Sequence, residues 1–213
     1  MRSARRSFIC YNYTYISYNY KCTRLCRRRV FLLPEGVRNL EKKRIIMDEK
    51  AMQRAIARIS YEIIEHNKGA EDLCVVGIIS RGVTIGKRIA EKISELEGVE
   101  VPFGQIDITP YRDDKAHSGN AERTDIPFDV RDRNVIIVDD VIFTGRSSRA
   151  ALEAIIKRGR PRSVQLAVLV DRGHRELPIR PDYVGKNLPT SHSEKVKVSV
   201  MEIDGCDAVS IFS

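Results

Sequence analysis

The sequence predicts an α/β domain with a central, mainly parallel sheet flanked by helices. Short apolar runs, which suit strands buried on both faces, alternate along the chain with stretches of helical periodicity. One such run, at residues 135–138, ends in two adjacent carboxylates and a turn that leads directly into a helix. Strands that alternate with helices are joined by right-handed crossovers, so ligands are expected at the carboxyl ends of the strands, where the strand order reverses.

The first predicted elements are a helix, a strand, a second helix and a second strand. Asp48 is the expected N-cap of the first helix, whose apolar residues recur at helical spacing until about Asn67. Residues 73–79 form an apolar run typical of a buried strand, and the helix that follows extends to about Leu96. Residues 101–108 alternate as a further strand.

The later elements continue this alternation. Strands are predicted at residues 135–138 and 164–170, with a helix over residues 149–156 between them. The polar stretch at residues 107–123 is longer than most connections, and such loops often close over ligands as lids. A solvated hairpin with its charges in water is the alternative for this stretch.

The turn after residues 135–138 has the features of a phosphate site. Asp139 and Asp140 end the strand, and T-G-R-S-S at residues 144–148 opens the next helix. Backbone N–H groups and the helix dipole bind anions at such a turn, Gly145 permits close approach, and the hydroxyl groups add donors. Because the acid pair suits sugar hydroxyls or a hydrated Mg²⁺, the implied ligand is a sugar with a phosphate at one end. The alternative is an ordinary connection with a solvated acid pair; a Walker loop is excluded because no G-K-[ST] occurs.

A second turn, I-S-R-G at residues 79–82, follows the first apolar strand. Its backbone N–H groups and the forked donor of Arg81 suit a diphosphate. Taken alone the motif is equally compatible with a plain strand-to-helix turn.

Composition and charge limit the class of protein. The net charge of +8 indicates anionic partners, either phosphates or nucleic acid, and a hydrophobic content of 42% supports a real core. The five cysteines do not form a secretory disulfide framework, and no apolar run has membrane-spanning length. A reducing cytoplasm is therefore the expected location, with no membrane partner.

Residues 1–36 differ from the rest of the chain, because they are rich in Arg, Tyr, Asn and Ser and have no helical or strand period. They are predicted to be a disordered extension or the product of a misassigned start, with Val37 and Met47 as candidate starts. An arm that binds nucleic acid through Arg and Tyr is the alternative. The organised domain is expected over residues 37–213, and the extension is expected to be dispensable to it.

Several motifs resemble the PyrR family, the bifunctional pyrimidine operon attenuation regulators and uracil phosphoribosyltransferases within the type I phosphoribosyltransferases. The resemblance covers about residue 42 to the C-terminus. Besides the loop at residues 135–148, it rests on G-I-I-S-R-G at 77–82, I-D-I-T-P-Y-R-D-D at 106–114, Q-L-A-V-L-V-D-R-G-H-R-E-L-P-I-R at 165–180, Y-V-G-K-N-L-P-T-S at 183–191 and S-E-K-V-K-V at 193–198.

The resemblance implies a type I phosphoribosyltransferase fold with a small hood and a flexible lid loop. It implies the conversion of uracil and phosphoribosyl pyrophosphate (PRPP) to UMP and diphosphate with Mg²⁺. It also implies UMP-dependent binding to the leader RNA of a pyrimidine operon, which favours transcription termination, and a homo-oligomer. The alternative is an RNA-binding regulator that uses the PRPP site only as a nucleotide sensor.

The resemblance also implies a role for individual residues. The expected catalytic residues are Arg81, Arg112, Asp139 and Asp140, and the two aspartates are candidate contacts of a PRPP-bound Mg²⁺. The expected PRPP and UMP contacts are Ser80, Arg81, Arg112, Asp139, Asp140, Val141, Ile142, Phe143, Thr144, Gly145, Arg146, Ser147, Arg172 and Val196. The expected RNA contacts are Arg58, His174, Arg175, Arg180 and Lys186.

Two departures from the familiar patterns bear on specificity. Purine phosphoribosyltransferases usually carry an aspartate where this chain has Phe143, which argues against a purine substrate. On the first helix, Ala57, Tyr61 and His66 replace the Thr, His and Arg of familiar PyrR members, whereas Arg58 is retained. RNA binding is therefore expected to be weaker or altered in specificity.

Overall fold

The structure is a computed structural model that describes residues 43–113 and 123–213. In chain order its strands are β1 (Lys43–Met47), β2 (Leu73–Ile78), β3 (Phe103–Ile106), β4 (Asn134–Ile142), β5 (Ser163–Asp171), β6 (Tyr183–Asn187), β7 (Lys195–Ser199) and β8 (Ala208–Phe212). Its α-helices are α1 (Glu49–Asn67), α2 (Arg81–Glu97), α3 (Arg146–Arg158) and α4 (Met201–Asp204). A turn of 3-10 helix, Thr109–Tyr111, follows β3.

The strands form two sheets. Five of them make a parallel sheet in the order β3-β2-β4-β5-β6, which confirms the predicted sheet. The other three make an antiparallel sheet in the order β1-β8-β7. We call this second sheet, together with α4, the hood.

The strand order reverses between β2 and β4, which are neighbours at the centre of the parallel sheet. The chain moves from β2 outward to β3 on one side and from β4 outward to β5 and β6 on the other. A crevice therefore opens between the carboxyl ends of β2 and β4, and this is where open α/β sheets bind ligands. The two candidate anion loops, after β2 and after β4, border this crevice.

Helices cover both faces of the parallel sheet. One buried cluster joins α1 and α2 to the sheet and to the hood, with Ile59, Ile89 and Val209 among its members. A second cluster packs α3 on the opposite face through residues that include Ala151 and Ile155. Burial on both faces explains why the central strands are almost continuously apolar.

The first turn of α2 lies directly on the backbone of β4. A Cβ atom added to Gly82 would lie 2.6 Å from the carbonyl oxygen of Val138 and 3.3 Å from the Cα atom of Asp139. A Cβ atom on Gly77 would lie 2.5 Å from the Cα atom of Val83. Because Gly77 and Gly82 carry no side chain, the loop after β2 can approach the acid pair of β4 closely.

The boundaries of α1 confirm the predicted helix. The Asp48 carboxylate accepts a hydrogen bond from the backbone N–H of Ala51 at 2.8 Å, as an N-cap does. The helix ends at Asn67, because Lys68 adopts a left-handed conformation with φ of 58° and Gly69 donates its N–H to the carbonyl of Ile64.

Two predicted strands have different lengths in the structure. β4 continues beyond Val138 to Ile142, so the acid pair lies inside the strand and Asp139 pairs with Val168 of β5. β3 covers only Phe103–Ile106 instead of residues 101–108. Pro102 has no N–H with which to extend the ladder, and the chain turns into the 3-10 helix shortly after Ile106.

The predicted extension at residues 1–36 lies outside the described residues, as does the central part of the predicted lid at residues 114–122. A chain that began at Met47 would lack nearly all of β1, which pairs with β8 in the hood. Within residues 43–113 and 123–213, no helix is both long enough and apolar enough to span a membrane.

Candidate active site

A cavity of about 370 Å³ lies at the carboxyl end of β4. It brings Arg112, from the beginning of the predicted lid, to the loop that connects β4 with α3. Its lining residues are Arg112, Asp139, Val141, Ile142, Phe143, Thr144, Gly145, Arg146, Ser147, Ser148 and Glu176.

The loop between β4 and α3 is built to receive an anion. Gly145 precedes the first residue of α3 with φ of 92°, a conformation that side-chain-bearing residues rarely adopt. The carbonyl of Thr144 accepts backbone hydrogen bonds from Glu176 at 3.0 Å and Leu177 at 3.2 Å, which hold the loop in place. The hydroxyl of Ser148 is buried and has no hydrogen-bond partner among the described residues. A phosphate at this helix N-terminus would supply that partner.

The acid pair carries the strongest electrostatic perturbation of the site. Asp139 is only 8% exposed, and its burial together with the neighbouring charge of Asp140 raises its pKa well above the usual range. Burial also raises the pKa of Asp140, against the opposing effect of hydrogen bonds and of Arg81. The backbone N–H groups of Asp140 and Val141 each donate at 2.9 Å to the carboxylate of the preceding residue. A cation or a row of donating hydroxyl groups would favour the ionised form of both acids.

The two acids interact with each other but respond to different cations. The charge of Arg112 acts on Asp139, whereas the charge of Arg81 acts on Asp140. Among the described residues, no cluster of three or more His, Cys, Asp or Glu side chains is placed to hold a metal ion. The two carboxylates are oxygen ligands of the kind that Mg²⁺ prefers, and an ion held here would take its other ligands from a substrate and from water.

Arg112 links the lid to the phosphate loop. Its Nη1 donates to the hydroxyl of Ser147 at 3.1 Å. Arg146 holds the same region from the other side, because its Nη1 bonds Asp113 at 2.9 Å and its Nε bonds Glu176 at 2.8 Å. These contacts hold the start of the predicted lid, at Arg112 and Asp113, against the loop after β4 around one cavity.

Arg81 is tied to the hood. Its Nε donates to Oδ2 of Asp204 at 3.0 Å and its Nη2 donates to Oδ1 at 2.8 Å, which makes a two-point ion pair. The Arg81 guanidinium lowers the pKa of Asp204 to about 2. Ser80, the other predicted diphosphate contact, is exposed beside it, and the peptide bond between Ile79 and Ser80 is cis.

An aromatic and cationic wall borders the loop on the side of β5. The guanidinium of Arg172 lies 4.3 Å above the centroid of the Phe143 ring and donates to the carbonyl of Glu194 at 2.6 Å. The His174 ring lies 5.7 Å from Phe143 and 4.0 Å from His192. Phe143 and Arg172, two predicted nucleotide contacts, are thus in direct contact with each other.

Val196 lies on β7, with its side chain packed against the core cluster under the hood. Val196 is partly exposed, and its contact with a nucleotide stays a prediction. The chain continues from β7 into α4, whose Asp204 binds Arg81.

The structure separates the predicted RNA contacts into residues that are exposed and residues that are engaged inside the protein. Arg58 donates to the carbonyls of Val184 at 3.0 Å and Gly185 at 2.7 Å on β6, and Lys186 is exposed on the same strand. Arg180 is also exposed. All three side chains are exposed, although the Arg58 guanidinium also bonds Glu62 at 2.8 Å and so has partners within the chain.

Arg175 and His174 are engaged inside the protein. Arg175 donates to the carboxylate of Asp171 at 2.6 Å and to the carbonyl of Phe143 at 2.9 Å, so it supports the phosphate loop. His174 shares a 2.6 Å hydrogen bond with the carbonyl of Thr190. Both side chains are half-buried, and their guanidinium and imidazole groups have partners within the chain.

Three residues of the site were not predicted. Asp204 binds Arg81, Glu176 binds Arg146, and His192 stacks beside His174. Asp204 and Arg81 lie 123 positions apart in the sequence, so no local pattern reveals their contact. An acidic residue in a basic chain and a lone histidine in a serine-rich loop carry no signal of their own.

Comparison with known proteins shows the family. The phosphoribosyl transferase domain model matches residues 44–204. The protein named bifunctional protein PyrR from Deinococcus radiodurans is 57% identical over 173 residues, which cover 80% of this chain and 94% of that protein. The PyrR protein of Clostridioides difficile is 60% identical over 173 residues, which cover 80% of this chain and 98% of its own length.

Solved structures show the fold. A hypoxanthine phosphoribosyltransferase from Staphylococcus aureus superposes with a TM-score of 0.64 at 18% identity, and the match covers 85% of this chain and 97% of that one. The hypoxanthine phosphoribosyltransferase of Trypanosoma cruzi gives a TM-score of 0.62 at 18% identity, over 79% of this chain and 95% of its own. With the parallel sheet and its phosphate loop, these matches establish the type I phosphoribosyltransferase fold, and the sequence identities show that the chain belongs to the PyrR family.

Proposed function

We propose that the protein transfers the phosphoribosyl group of PRPP to uracil, which gives UMP and diphosphate, and that it also binds the leader RNA of a pyrimidine operon when UMP is bound. The observation that carries the enzymatic half is the phosphate loop beside a buried acid pair at the reversal of strand order. The RNA half rests on the family and on the exposed cations at β6.

In this proposal the loop at residues 143–148 holds the 5-phosphate of PRPP. The left-handed conformation of Gly145 leaves backbone N–H groups at the start of α3 to donate to the phosphate. The unpartnered hydroxyl of Ser148 is a further donor. Asp139 and Asp140 accept hydrogen bonds from the ribose 2- and 3-hydroxyl groups. Donation by these hydroxyls offsets the burial that raises the pKa of both acids.

Diphosphate would be bound by Ser80, Arg81 and Arg112. Two nitrogens of Arg81 are used by Asp204, and its Nη1 has no partner among the described residues and remains for a phosphate oxygen. Asp139 and Asp140 would hold Mg²⁺ through PRPP and its water ligands, and the ion supplies charge neutralisation for the departing diphosphate. The residues of the chain orient PRPP and exclude water from the ribose.

The base would lie against the wall formed by Phe143 and Arg172, under the backbone of β7 near Val196. Phe143 presents a ring where purine enzymes usually present a carboxylate, which supports a pyrimidine. The uracil nitrogen attacks C1 of the ribose from the face opposite the leaving diphosphate, so the arrangement requires no covalent intermediate with the protein. The expected sources of the rate enhancement are the positioning of uracil and PRPP and the neutralisation of charge on the departing diphosphate.

An assay of diphosphate release tests the enzymatic half. With PRPP and Mg²⁺ present, we expect release to depend on uracil and to stay at background with hypoxanthine or guanine. If UMP bound while uracil produced no diphosphate above background, the protein would be a nucleotide sensor and the proposed catalysis would be wrong.

Lys186 provides the test of RNA binding. It is exposed on β6 next to the contact between Arg58 and the backbone of Val184 and Gly185. We expect Lys186→Ala to weaken binding to the leader transcript and to reduce the slope of log affinity against log salt by roughly one, the loss of one phosphate contact. Filter binding with and without UMP measures both effects.

The matched control is Lys87→Ala, which removes an exposed lysine of α2 and should leave RNA affinity and its salt slope unchanged. Uracil turnover should be the same in both variants. If the wild-type protein bound its leader no more tightly than an unrelated hairpin at moderate salt, the regulatory half would be refuted. From the family resemblance we also propose that the protein is a cytoplasmic homo-oligomer.

A further inference from the structure

The hood is fastened to one face of α2 by two arginines. Arg81 binds Asp204 through two nitrogens at 2.8 and 3.0 Å. Two turns further along the helix, Arg88 binds Glu202 at 2.7 Å and Asp207 at 2.8 Å. Both arginines therefore hold the same short segment, which contains α4.

The Asp204 carboxylate is itself held in a fixed orientation. Its Oδ2 accepts the backbone N–H of Val200 at 3.1 Å, at the start of α4. Its side chain is 14% exposed, and Lys197 approaches Oδ1 at 3.9 Å. The hydrogen bond with Arg81 lowers the pKa of this carboxyl to about 2, which favours its charged form at neutral pH. A carboxylate fixed in this way fixes the guanidinium that it binds.

The position of Arg81 gives this contact a consequence for ligand binding. Arg81 is the first residue of α2, at the edge of the crevice, and its charge acts on Asp140 of the acid pair. Asp204 occupies Nε and Nη2, which leaves Nη1 without a partner among the described residues. Asp140 is the other acid whose charge acts on the Arg81 guanidinium, so with Asp204 neutral we expect Arg81 to be drawn toward the acid pair.

We propose that Asp204 is a positioning residue that holds Arg81 with its Nη1 directed to the diphosphate site and away from Asp140. The proposal rests on the proposed function, in which Arg81 binds diphosphate. It also joins the two sides of the site, because Asp204 ends α4, the short helix after β7, and β7 carries the backbone that would meet the base. The hood thereby links the base side of the site to the diphosphate side.

The test is a double-mutant cycle on the full chain, with calorimetric binding of magnesium diphosphate and steady-state kinetics as readouts. We expect Asp204→Asn to weaken diphosphate binding and to raise KM for PRPP by about tenfold, a factor of the size that loss of one charge-assisted contact produces, with kcat changed little. Asp204→Glu should recover part of the affinity. Because Asp204 acts through Arg81, Asp204→Asn should have almost no effect on binding in an Arg81→Gln background.

Glu202→Gln is the matched control, since it cuts a comparable hood contact, with Arg88, that does not reach the site. It should leave diphosphate affinity unchanged. Tighter or unchanged diphosphate binding by Asp204→Asn would overturn the proposal, because a carboxylate that merely competed with diphosphate for Arg81 would weaken binding in the wild type. Equal losses in the Glu202→Gln and Asp204→Asn variants would also overturn it, by assigning the effect to the hood as a whole. If Arg81→Gln by itself left binding intact, the role of Arg81 in the proposed function would be wrong.

Discussion

Replacement of Asp140 by Asn should lower kcat/KM for PRPP by one to two decades while the fold stays intact. Asp140 lies within β4, where burial raises its pKa and only Arg81 and nearby hydrogen bonds favour its charge. Loss of a charge-assisted contact costs roughly 1.5–3 kcal/mol, which corresponds to about 10- to 100-fold in PRPP use. Steady-state kinetics at varied PRPP, with the melting temperature as a check on folding, measures the effect.

Asp129→Asn is the control for this variant. Asp129 is exposed, and its nearest cation, Arg131, lies 3.9 Å away in solvent, so its neutralisation should change neither kinetics nor stability. Wild-type kcat/KM in Asp140→Asn would remove Asp140 from the proposed catalytic residues and would leave Asp139 as the only acid that contacts PRPP.

The largest effect on stability is expected from Gly82→Ala. The added Cβ atom would lie 2.6 Å from the carbonyl oxygen of Val138, which belongs to a central strand and has no freedom to retreat. Such overpacking usually costs about 1–3 kcal/mol, and each kcal/mol lowers the melting temperature of a domain of this size by roughly 2–4 °C. Thermal and denaturant unfolding would both show the loss.

Gly86→Ala in the same helix separates the steric effect from helix propensity. Its added Cβ atom would lie 3.1 Å from a ring atom of Phe103 and 3.3 Å from the Cα atom of Gly77, and the ring can shift. Both variants replace glycine by alanine within α2, which by itself favours the helix, by about 1 kcal/mol at the interior position of Gly86. Gly82→Ala should therefore be the less stable of the two, and a melting temperature at or above that of the wild type would contradict the close packing of α2 on β4.

Local patterns predicted the parallel sheet and its helices because those elements carry their own signals. The cap at Asp48 and the apolar spacing of α1 are contained in a few residues, and so is the apolar run of β4. The acids made β4 seem to end at Val138, yet Asp139 and Ile142 continue the ladder with β5. A charged residue inside a buried strand is tolerated at the edge where a ligand binds, so this error falls on the functional site.

The hood was predicted only through the family resemblance. Its strands are short and carry exposed lysines, as in Lys195–Ser199, and β1 pairs with β8 from the opposite end of the described chain. Asp204 likewise lies 123 positions from Arg81, which its carboxylate binds at two points. Such pairings follow from the fold and leave no periodicity in the sequence.

The hood also sets the order in which the protein is expected to fold during synthesis. Lys43 of β1 pairs with Phe212 of β8. During synthesis, β1 therefore cannot pair in the hood until β8, the last described strand, has been made. The parallel sheet and its phosphate loop involve segments that emerge earlier, and contacts between distant segments form late because closing a long loop costs entropy. The parallel sheet with its phosphate loop is thus expected to form before the hood, and a chain released within β8 would have the anion-binding loop without a complete antiparallel sheet.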